Sequence, residues 1–443
     1  MSDTRRASRR DFLKTSSAAF AGAALASGLS VARSAHAAGS GELKVVLIGC
    51  GGRGQGAIRD CMNASKITGE KIRLIAVADA FEKKARDAFD RLKKEGDYSS
   101  MVDVPDDRVF SGFDCYEKAI AVGPDLVILA TSPGFRPIHY QAAIAAGKHV
   151  FMEKPCCVDA PGYRSLLETN KAADAKGLKV GVGLQRHHEP RYQETIKRIQ
   201  DGAIGDLKYL RAYWNGAGVW VRPRRPEQTE MEYQMDNWYY FVWLSGDHIC
   251  EQHVHNLDVC NWVKGGHPVE ANGMGGRQVR RGKDVGHIYD HHFIEFTYDD
   301  GTKMFSQCRH IPKCWDSVSE FAHGTKGWAD CSGKELHVAG KKQWEFLGER
   351  PSAMVQEHAD LQKAIRSGEP YNEGHYGADS SFTAVLGRMA TYSGQVVKWD
   401  DAVAGGPSEM PETYAWDAKP PVLPDESGSY EHAVAMPGIY KAY

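Results

Sequence analysis

Three groups of residues in this 443-residue chain have types and spacings that could do chemistry. The first is Gly49-Cys50-Gly51-Gly52-Arg53-Gly54, a G-x-G-x-x-G run between an apolar strand at 44–48 and a helix at 57–64. In that setting the first glycine permits a tight turn and the second lets backbone approach a pyrophosphate. The third lets the helix pack on the strand, and the helix N-terminus offers free N–H groups to the anion. Asp79, at the end of a second strand, lies about 20–30 residues further on, where a carboxylate accepts from both hydroxyls of an adenosine ribose. A carboxylate there repels a 2′-phosphate, so the pair specifies a dinucleotide and prefers NAD. Arg53, Lys83 and Lys84 are nearby cations that leave NADP possible.

The second group is Glu153-Lys154-Pro155 after a short apolar strand at 149–152. Strand C-termini in a doubly wound sheet face the ligand crevice. A lysine there, if it meets a ligand cation, ionises more easily than a free one and can hydrogen-bond or relay the proton of a reacting hydroxyl. Pro155 fixes the turn behind it. The third group is a polar stripe. If 247–263 is one helix, His248, Glu251, His255, Asp258 and Trp262 share a face. That spacing normally marks an apolar core face. A histidine titrating near neutrality suits general-base work, with Glu251 or Asp258 to orient it. The competing reading is a metal site of His248, Glu251 and His255, at i, i+3 and i+7. Of the two, the acid–base reading is expected, with no metal.

The elements that must position these groups alternate strand and helix from Leu43 to about Leu184. Buried strands are expected at 44–48, 72–78, 125–130, 149–152 and 179–182, with helices at 83–94, 138–146 and 163–175 between them. This pattern predicts a parallel, doubly wound Rossmann sheet over 38–184. Beyond it, alternating and aromatic-rich stretches at 208–214, 287–298 and 303–310 predict an α+β domain over 185–406 with a large, mostly antiparallel sheet. Late helices at 355–366 and 380–396 should fold back onto the body. Residues 407–443 are proline-rich and expected as an extended arm over the surface or a neighbouring subunit.

Composition narrows the function class. There are 55 basic and 57 acidic residues, which lacks the basic excess of a nucleic-acid binder. No apolar run reaches the ~18 residues of a membrane span. The ten cysteines include no C-x-x-C pair, so no zinc-ribbon spacing exists, and most are expected as small buried apolar residues. The N-terminus carries Ser8-Arg9-Arg10-Asp11-Phe12-Leu13-Lys14, then a mild apolar stretch and Ala35-His36-Ala37. That order reads as a twin-arginine signal peptide over 1–37 with an A-x-A cleavage site. It predicts export, periplasmic or beyond, of a protein that loads its cofactor before crossing.

From Leu43 to about Ala402 the residues resemble the Gfo/Idh/MocA family, which includes glucose–fructose oxidoreductase and inositol dehydrogenase. The resemblance rests on the glycine loop, Ala130-Thr131-Ser132-Pro133 with His139 downstream, and Glu153-Lys154-Pro155. It rests further on Glu251, His255 and Asp258, and on Gly324-Thr325-Lys326-Gly327. It implies that Thr131, Pro133, His139 and Glu153 help hold the cofactor and that Lys154 lies beside the nicotinamide and the reacting carbon. The family usually has Asp where this chain has Glu251. Gln185, Arg186 and His187, after a strand, join Trp214 and Asp258 as substrate-binding candidates, because aromatic faces stack on sugar rings and polar groups meet hydroxyls. The expected activity is oxidation of a secondary hydroxyl of a sugar, glycoside or polyol, C3 of a glucoside by family analogy, with tightly held cofactor. The alternative is an NAD-dependent glycosidase or lyase working through a transient keto-sugar. A non-catalytic binding protein on the same fold would not need Lys154 and His255 together. A homo-oligomer, dimer or tetramer, is expected.

Overall fold

The computed structural model describes residues 41–443. The segment read as a signal peptide lies outside the described residues. Six strands form the first sheet: β1 (Glu42–Ile48), β2 (Lys71–Asp79), β3 (Val109–Ser111), β4 (Leu126–Leu129), β5 (His149–Met152) and β6 (Val180–Val182). Their order is β3-β2-β1-β4-β5-β6 and every pairing is parallel. β4 and β5 are buried at every position, as strands covered by helices on both faces must be.

The helix Gly52–Thr68 follows β1 and ends on Gly69, whose left-handed conformation (φ 76°) returns its N–H to Ser65. Its outer face receives the late helix Ala353–Ser367. Gln362 donates to the Cys61 carbonyl and Arg366 pairs with Glu70. These contacts set the late helix against the outer face of the Rossmann half.

The second sheet has nine strands. They are β7 (Leu207–Gly216), β8 (Glu270–Gly276), β9 (His291–Thr297), β10 (Lys303–His310), β11 (Ser317–Gly324), β12 (Gly327–Asp330), β13 (Leu336–Val338), β14 (Lys341–Trp344) and β15 (Val397–Lys398). All its pairings are antiparallel except β7 with β10. β10 alternates half-buried and buried residues along its length, so one face packs on helices and the other faces outward. The helix Gly374–Ser393 crosses the packed face and is buried over most of its length.

One expectation changes. The 247–263 stretch is not one helix. It is a short turn, His248–Glu251, followed by a separate helix, Val254–Lys264. The C-terminal arm wraps over its own chain: Glu409 pairs with buried Arg388, and the Tyr430 hydroxyl accepts from Arg224.

Candidate active site

The glycine loop sorts its glycines by task. Gly49 has φ +99°, and a Cβ there would lie 2.4 Å from the Ala130 carbonyl carbon. A Cβ on Gly54 would lie 1.8 Å from the Gly49 oxygen. These two glycines let strand, helix and β4 come together. A Cβ on Gly51 or Gly52 would meet nothing within 4 Å. Those two face open space at the N-terminus of the helix Gly52–Thr68, where backbone N–H groups await an anion. This is the shape a pyrophosphate requires, so the residues fit a dinucleotide.

Asp79 sits at the end of β2 and is 9% exposed. Its carboxylate accepts from the Cys50 N–H at 2.8 Å and the Phe81 N–H at 2.9 Å. The residue read as the ribose acceptor thus also braces the glycine loop. Burial pushes its carboxyl up, against the nearby charge of Lys84. The other cations are engaged elsewhere. Arg53 pairs with Glu153 at 2.8 Å and with Asp60 at 2.7 Å, and Lys83 pairs with Asp87 at the surface. Only Lys84 of the three stands at the ribose end.

Gly49, Gly51, Gly52, Arg53 and Asp79 line one cleft of about 380 Å³ together with Thr131 and His139. Thr131 Oγ1 and His139 Nδ1 are 3.2 Å apart. Burial, then the charge of Arg136, lowers His139 to about 3, so it is a neutral wall residue. Pro133 is buried at the start of the turn behind that wall. Glu153 does not stand free toward a ligand: it ties the end of β5 to the glycine loop through Arg53.

Lys154, the next residue, reaches across to the other half of the chain. Its Nζ donates to the backbone carbonyl of Glu251 and lies 3.0 Å from Glu251 Oε1. Burial raises the Glu251 carboxyl, with the Lys154 charge opposing. In an unbroken helix the Glu251 carbonyl would accept the His255 N–H. Lys154 takes that carbonyl, and His255 N–H turns instead to Gln252 at 3.3 Å. The stripe is broken at this exchange of partners, with Glu251 closing the first turn and His255 in the helix that follows.

His255 is 9% exposed, stacks on Trp214 with ring centroids 6.0 Å apart, and has no hydrogen-bond partner for Nδ1. Burial, then the charges of Lys154 and Arg186, keeps it well below the ordinary histidine range. It is therefore neutral at physiological pH and does not titrate near neutrality. Neither carboxylate expected to orient it does so. Glu251 is spent on Lys154. Asp258 accepts from His187 Nε2 at 2.9 Å and from the Ser380 hydroxyl at 2.8 Å.

The substrate-binding candidates divide. Trp214 stands beside His255. Arg186 is buried against Glu320, which also accepts from Tyr192 and Asn256. His187 is stacked between Trp262 and Tyr376, each at 4.2 Å, and Asp258 is 2% exposed. These three act as a brace beneath the site. Gln185 is half-buried in the turn after β6.

The alternative metal set is also taken apart. His248 pairs with Asp247 at 2.7 Å rather than with Glu251 or His255. Asp247, His248 and His292 lie within ligand range of one another. The Asp247 oxygens, however, already accept from His248, the Tyr289 N–H and the Tyr392 hydroxyl. Asp247 has φ 76° and ψ 163°, a conformation costly for any residue but glycine, and these bonds hold it there. The cluster is a hub that fixes the turn carrying Glu251.

Residues 219–240 form a second wall that sequence reasoning missed. Trp220, Arg222, Met235 and Trp238 line the dinucleotide cleft, whereas Trp243 is buried core. Trp416 of the C-terminal arm packs on Phe81 and Phe113, centroids 4.9 and 4.7 Å away. The density of aromatic residues over 214–243 is the one sequence signal for this wall, and it does not by itself distinguish a cofactor wall from a substrate platform. The ten cysteines are all free, and nine are buried. Among the described residues no helix is long and apolar enough to cross a membrane.

Comparison with known proteins agrees with this geometry. Residues 43–184 match the oxidoreductase family with an NAD-binding Rossmann fold, and residues 192–330 match the GFO/IDH/MocA C-terminal domain. Inositol 2-dehydrogenase of Rhizobium meliloti is 26% identical over 258 residues, 58% of this chain and 66% of that protein. Inositol 2-dehydrogenase of Pseudomonas fluorescens is 30% identical over 227 residues, 50% of this chain and 54% of that protein. The matched stretches thus span about half to two thirds of these curated relatives. Among solved structures, aldose–aldose oxidoreductase of Caulobacter crescentus superposes with a TM-score of 0.62 at 19% identity, covering 81% of this chain and 99% of that one. Levoglucosan dehydrogenase in complex with NADH and levoglucosan gives 0.61 at 16%, with the same coverage. The glycine loop, the Glu153-Lys154-Pro155 turn and the two matched domains place this chain in the Gfo/Idh/MocA oxidoreductase family.

Proposed function

We propose that this protein is an exported NAD-dependent oxidoreductase that oxidises a secondary hydroxyl of a sugar, glycoside or polyol, with C3 of a glucoside as the first position to test. The observation that carries the reading is a dinucleotide-shaped cleft whose Arg53 pairs with Glu153, the residue before Lys154, together with a buried His255 that feels the Lys154 charge and has no hydrogen-bond partner for Nδ1. Bound NAD supplies the hydride acceptor. Lys154, on the strand end beside the glycine loop, holds the reacting hydroxyl oxygen. His255, with its ring nitrogen free, accepts the hydroxyl proton. Trp214 beside it offers a face for the sugar ring.

NAD is the preferred cofactor because Asp79 faces the ribose end. Retention of the cofactor through the cycle suits a protein carried folded out of the cytoplasm, with a second sugar or ketone restoring the oxidised form. Export rests on the Ser8–Lys14 motif and the Ala35-His36-Ala37 site. A homo-oligomer is in keeping with the outer face of the large sheet, where Tyr209, Phe293 and Val318 are exposed.

A second reading is elimination or hydration through a transient ketone. One observation favours it: 2,7-anhydro-N-acetylneuraminate hydratase of Mediterraneibacter gnavus is 26% identical over 264 residues. The test is mass spectrometry of the nucleotide in the purified protein, then a panel of glycosides and polyols analysed for products. A keto-sugar with intact aglycone supports net oxidation; a released aglycone without net NADH supports the second reading. Absence of any nucleotide, and of any turnover with NAD added, would overturn both.

A further inference from the structure

The ribose end of the cleft is not closed by the Rossmann half alone. The short helix Glu230–Asp236, from the other half of the chain, ends against it. Thr229 and Glu232 form a capping box that starts this helix, so its position is set locally. Asp236 is its last residue, with a side chain 13% exposed.

Three cations converge on Asp236. Lys84 Nζ lies 3.2 Å from Oδ1, Arg222 lies 3.0 Å from the same oxygen, and Arg225 lies 3.2 Å from Oδ2. Lys84 belongs to the Rossmann half, and its ammonium also sits over the Phe81 ring at 4.1 Å. Lys84 and Arg222 both line the cleft, with Asp79 beside them. Left unpaired, two such cations next to a ribose would attract a 2′-phosphate, which carries close to two negative charges. Paired with one carboxylate, they offer much less. Burial works against the Asp236 charge, but Lys84, Arg222 and Arg225 outweigh it and hold the carboxyl below its usual range. The carboxylate is therefore ionised wherever the enzyme works.

The same ion pairs join the two sides of the cleft. Arg222 stacks over Trp220 at 4.4 Å, and Trp220 meets Trp238 at 5.9 Å. This aromatic wall is anchored to the Rossmann half by Lys84 through Asp236.

We infer that Asp236 is a second selector of the dinucleotide, neutralising Lys84 and Arg222 against a 2′-phosphate, and the tie that keeps the aromatic wall closed over the bound cofactor. Asp236 is a positioning residue, since it acts through Lys84 and Arg222. The inference rests on the reading of the cleft as a dinucleotide site, and the experiment separates the two.

The experiment measures NAD and NADP affinity and the NAD release rate on the full chain, for the parent, Asp236→Asn, Lys84→Met and the double variant. Thermal melting confirms that each is folded. Asp236→Asn should shift the affinity ratio toward NADP by about tenfold, because freed cations face the phosphate at short range. It should also release NAD several-fold faster. Lys84→Met should release NAD faster with no shift toward NADP, and in the double variant the NADP gain should fall in part, because Arg222 remains freed. A folded Asp236→Asn whose ratio stays within about twofold of the parent overturns the selector role. Parental NAD release from Lys84→Met overturns the tie and keeps its force if Asp236→Asn fails to fold. A parent that binds neither nucleotide overturns the dinucleotide reading itself.

Discussion

Lys154 donates to the backbone carbonyl of Glu251, 97 residues away in the sequence, and its ammonium lies 3.0 Å from the same residue's carboxylate. One side chain from the end of β5 thereby takes the backbone acceptor at which a helix in the other half of the chain is interrupted. Glu251 lies on one side of the break and His255 on the other. The contact predicts separable effects. Lys154→Met should lose turnover by at least about two orders of magnitude, as removal of a proton-handling group does. Bound nucleotide, measured by absorbance of the denatured supernatant, should stay at parental occupancy. Glu251→Gln keeps the carbonyl and should cost less. Parental turnover in Lys154→Met would make the lysine a strut alone.

His255→Ala should lower turnover by about two to four orders of magnitude with little change in NAD affinity. The pH profile adds a sharper check. Burial and the charges of Lys154 and Arg186 hold His255 far below its ordinary value. It is already deprotonated throughout the working range, so kcat/KM should show no acidic limb near pH 6.5 assignable to it. An inflection there that disappears in the His255 variant would mean that substrate binding restores an ordinary imidazole.

The glycine loop offers a test that separates folding from binding. Gly51 faces open space, so Gly51→Val should fold with near-parental melting temperature and lose the dinucleotide. Gly54 is packed against the Gly49 oxygen, so Gly54→Ala should destabilise the protein by about 3 kcal/mol. If Gly51→Val binds NAD as the parent does, the pyrophosphate lies elsewhere.

How much of this was legible in the sequence follows the physics of each element. Buried parallel strands are continuous apolar runs, so β1, β2, β4 and β5 could be read within a residue or two of their ends. The glycine loop and Asp79 carry their own geometry. The break at Gln252 could not be read, because the Glu251 carbonyl there is taken by a lysine far away in sequence. The same holds for Asp258: its spacing from His255 suits an orienting carboxylate, but His187 and Ser380 claim it in three dimensions. The wall at 219–240 has no periodicity of its own, and its contact with the Rossmann half, Asp236 with Lys84, joins residues far apart in sequence.

Asp79→Ser should weaken NAD and strengthen NADP, measured as the ratio of the two affinities. Because Asp79 also accepts the Cys50 and Phe81 N–H groups, the variant should lose about 1–2 kcal/mol of stability for the lost acceptors and so melt somewhat lower as well. An unchanged affinity ratio with a lowered melting temperature would leave Asp79 as a loop brace only.

Stability should fall at alkaline pH through His188. Burial alone would lower this histidine, but ion pairs with Asp360 and Glu373 outweigh it and hold it up at about 9. A folded value above the unfolded one, about 6.5, stabilises the fold fully below pH ~6.5, and the contribution is lost as pH rises through about 9. It amounts to roughly 3 kcal/mol at most. His188→Gln should lower the melting temperature at pH 6 and flatten its decline between pH 7 and 10. A decline of parental steepness in that variant would assign the effect to other groups.

The central claim is that a hydride passes from a secondary carbon of a carbohydrate to the bound nicotinamide. The direct measurement is deuterium transfer. The purified protein, with its nucleotide, is incubated with methyl glucoside deuterated at C3 and with the same sugar deuterated at other ring carbons in turn, and the nucleotide is recovered for mass spectrometry. The account predicts that one labelled position, C3 first among them, delivers one deuterium to the reduced cofactor, and that Lys154→Met abolishes the transfer. Turnover of a carbohydrate substrate with no deuterium reaching the cofactor from any ring position would contradict it.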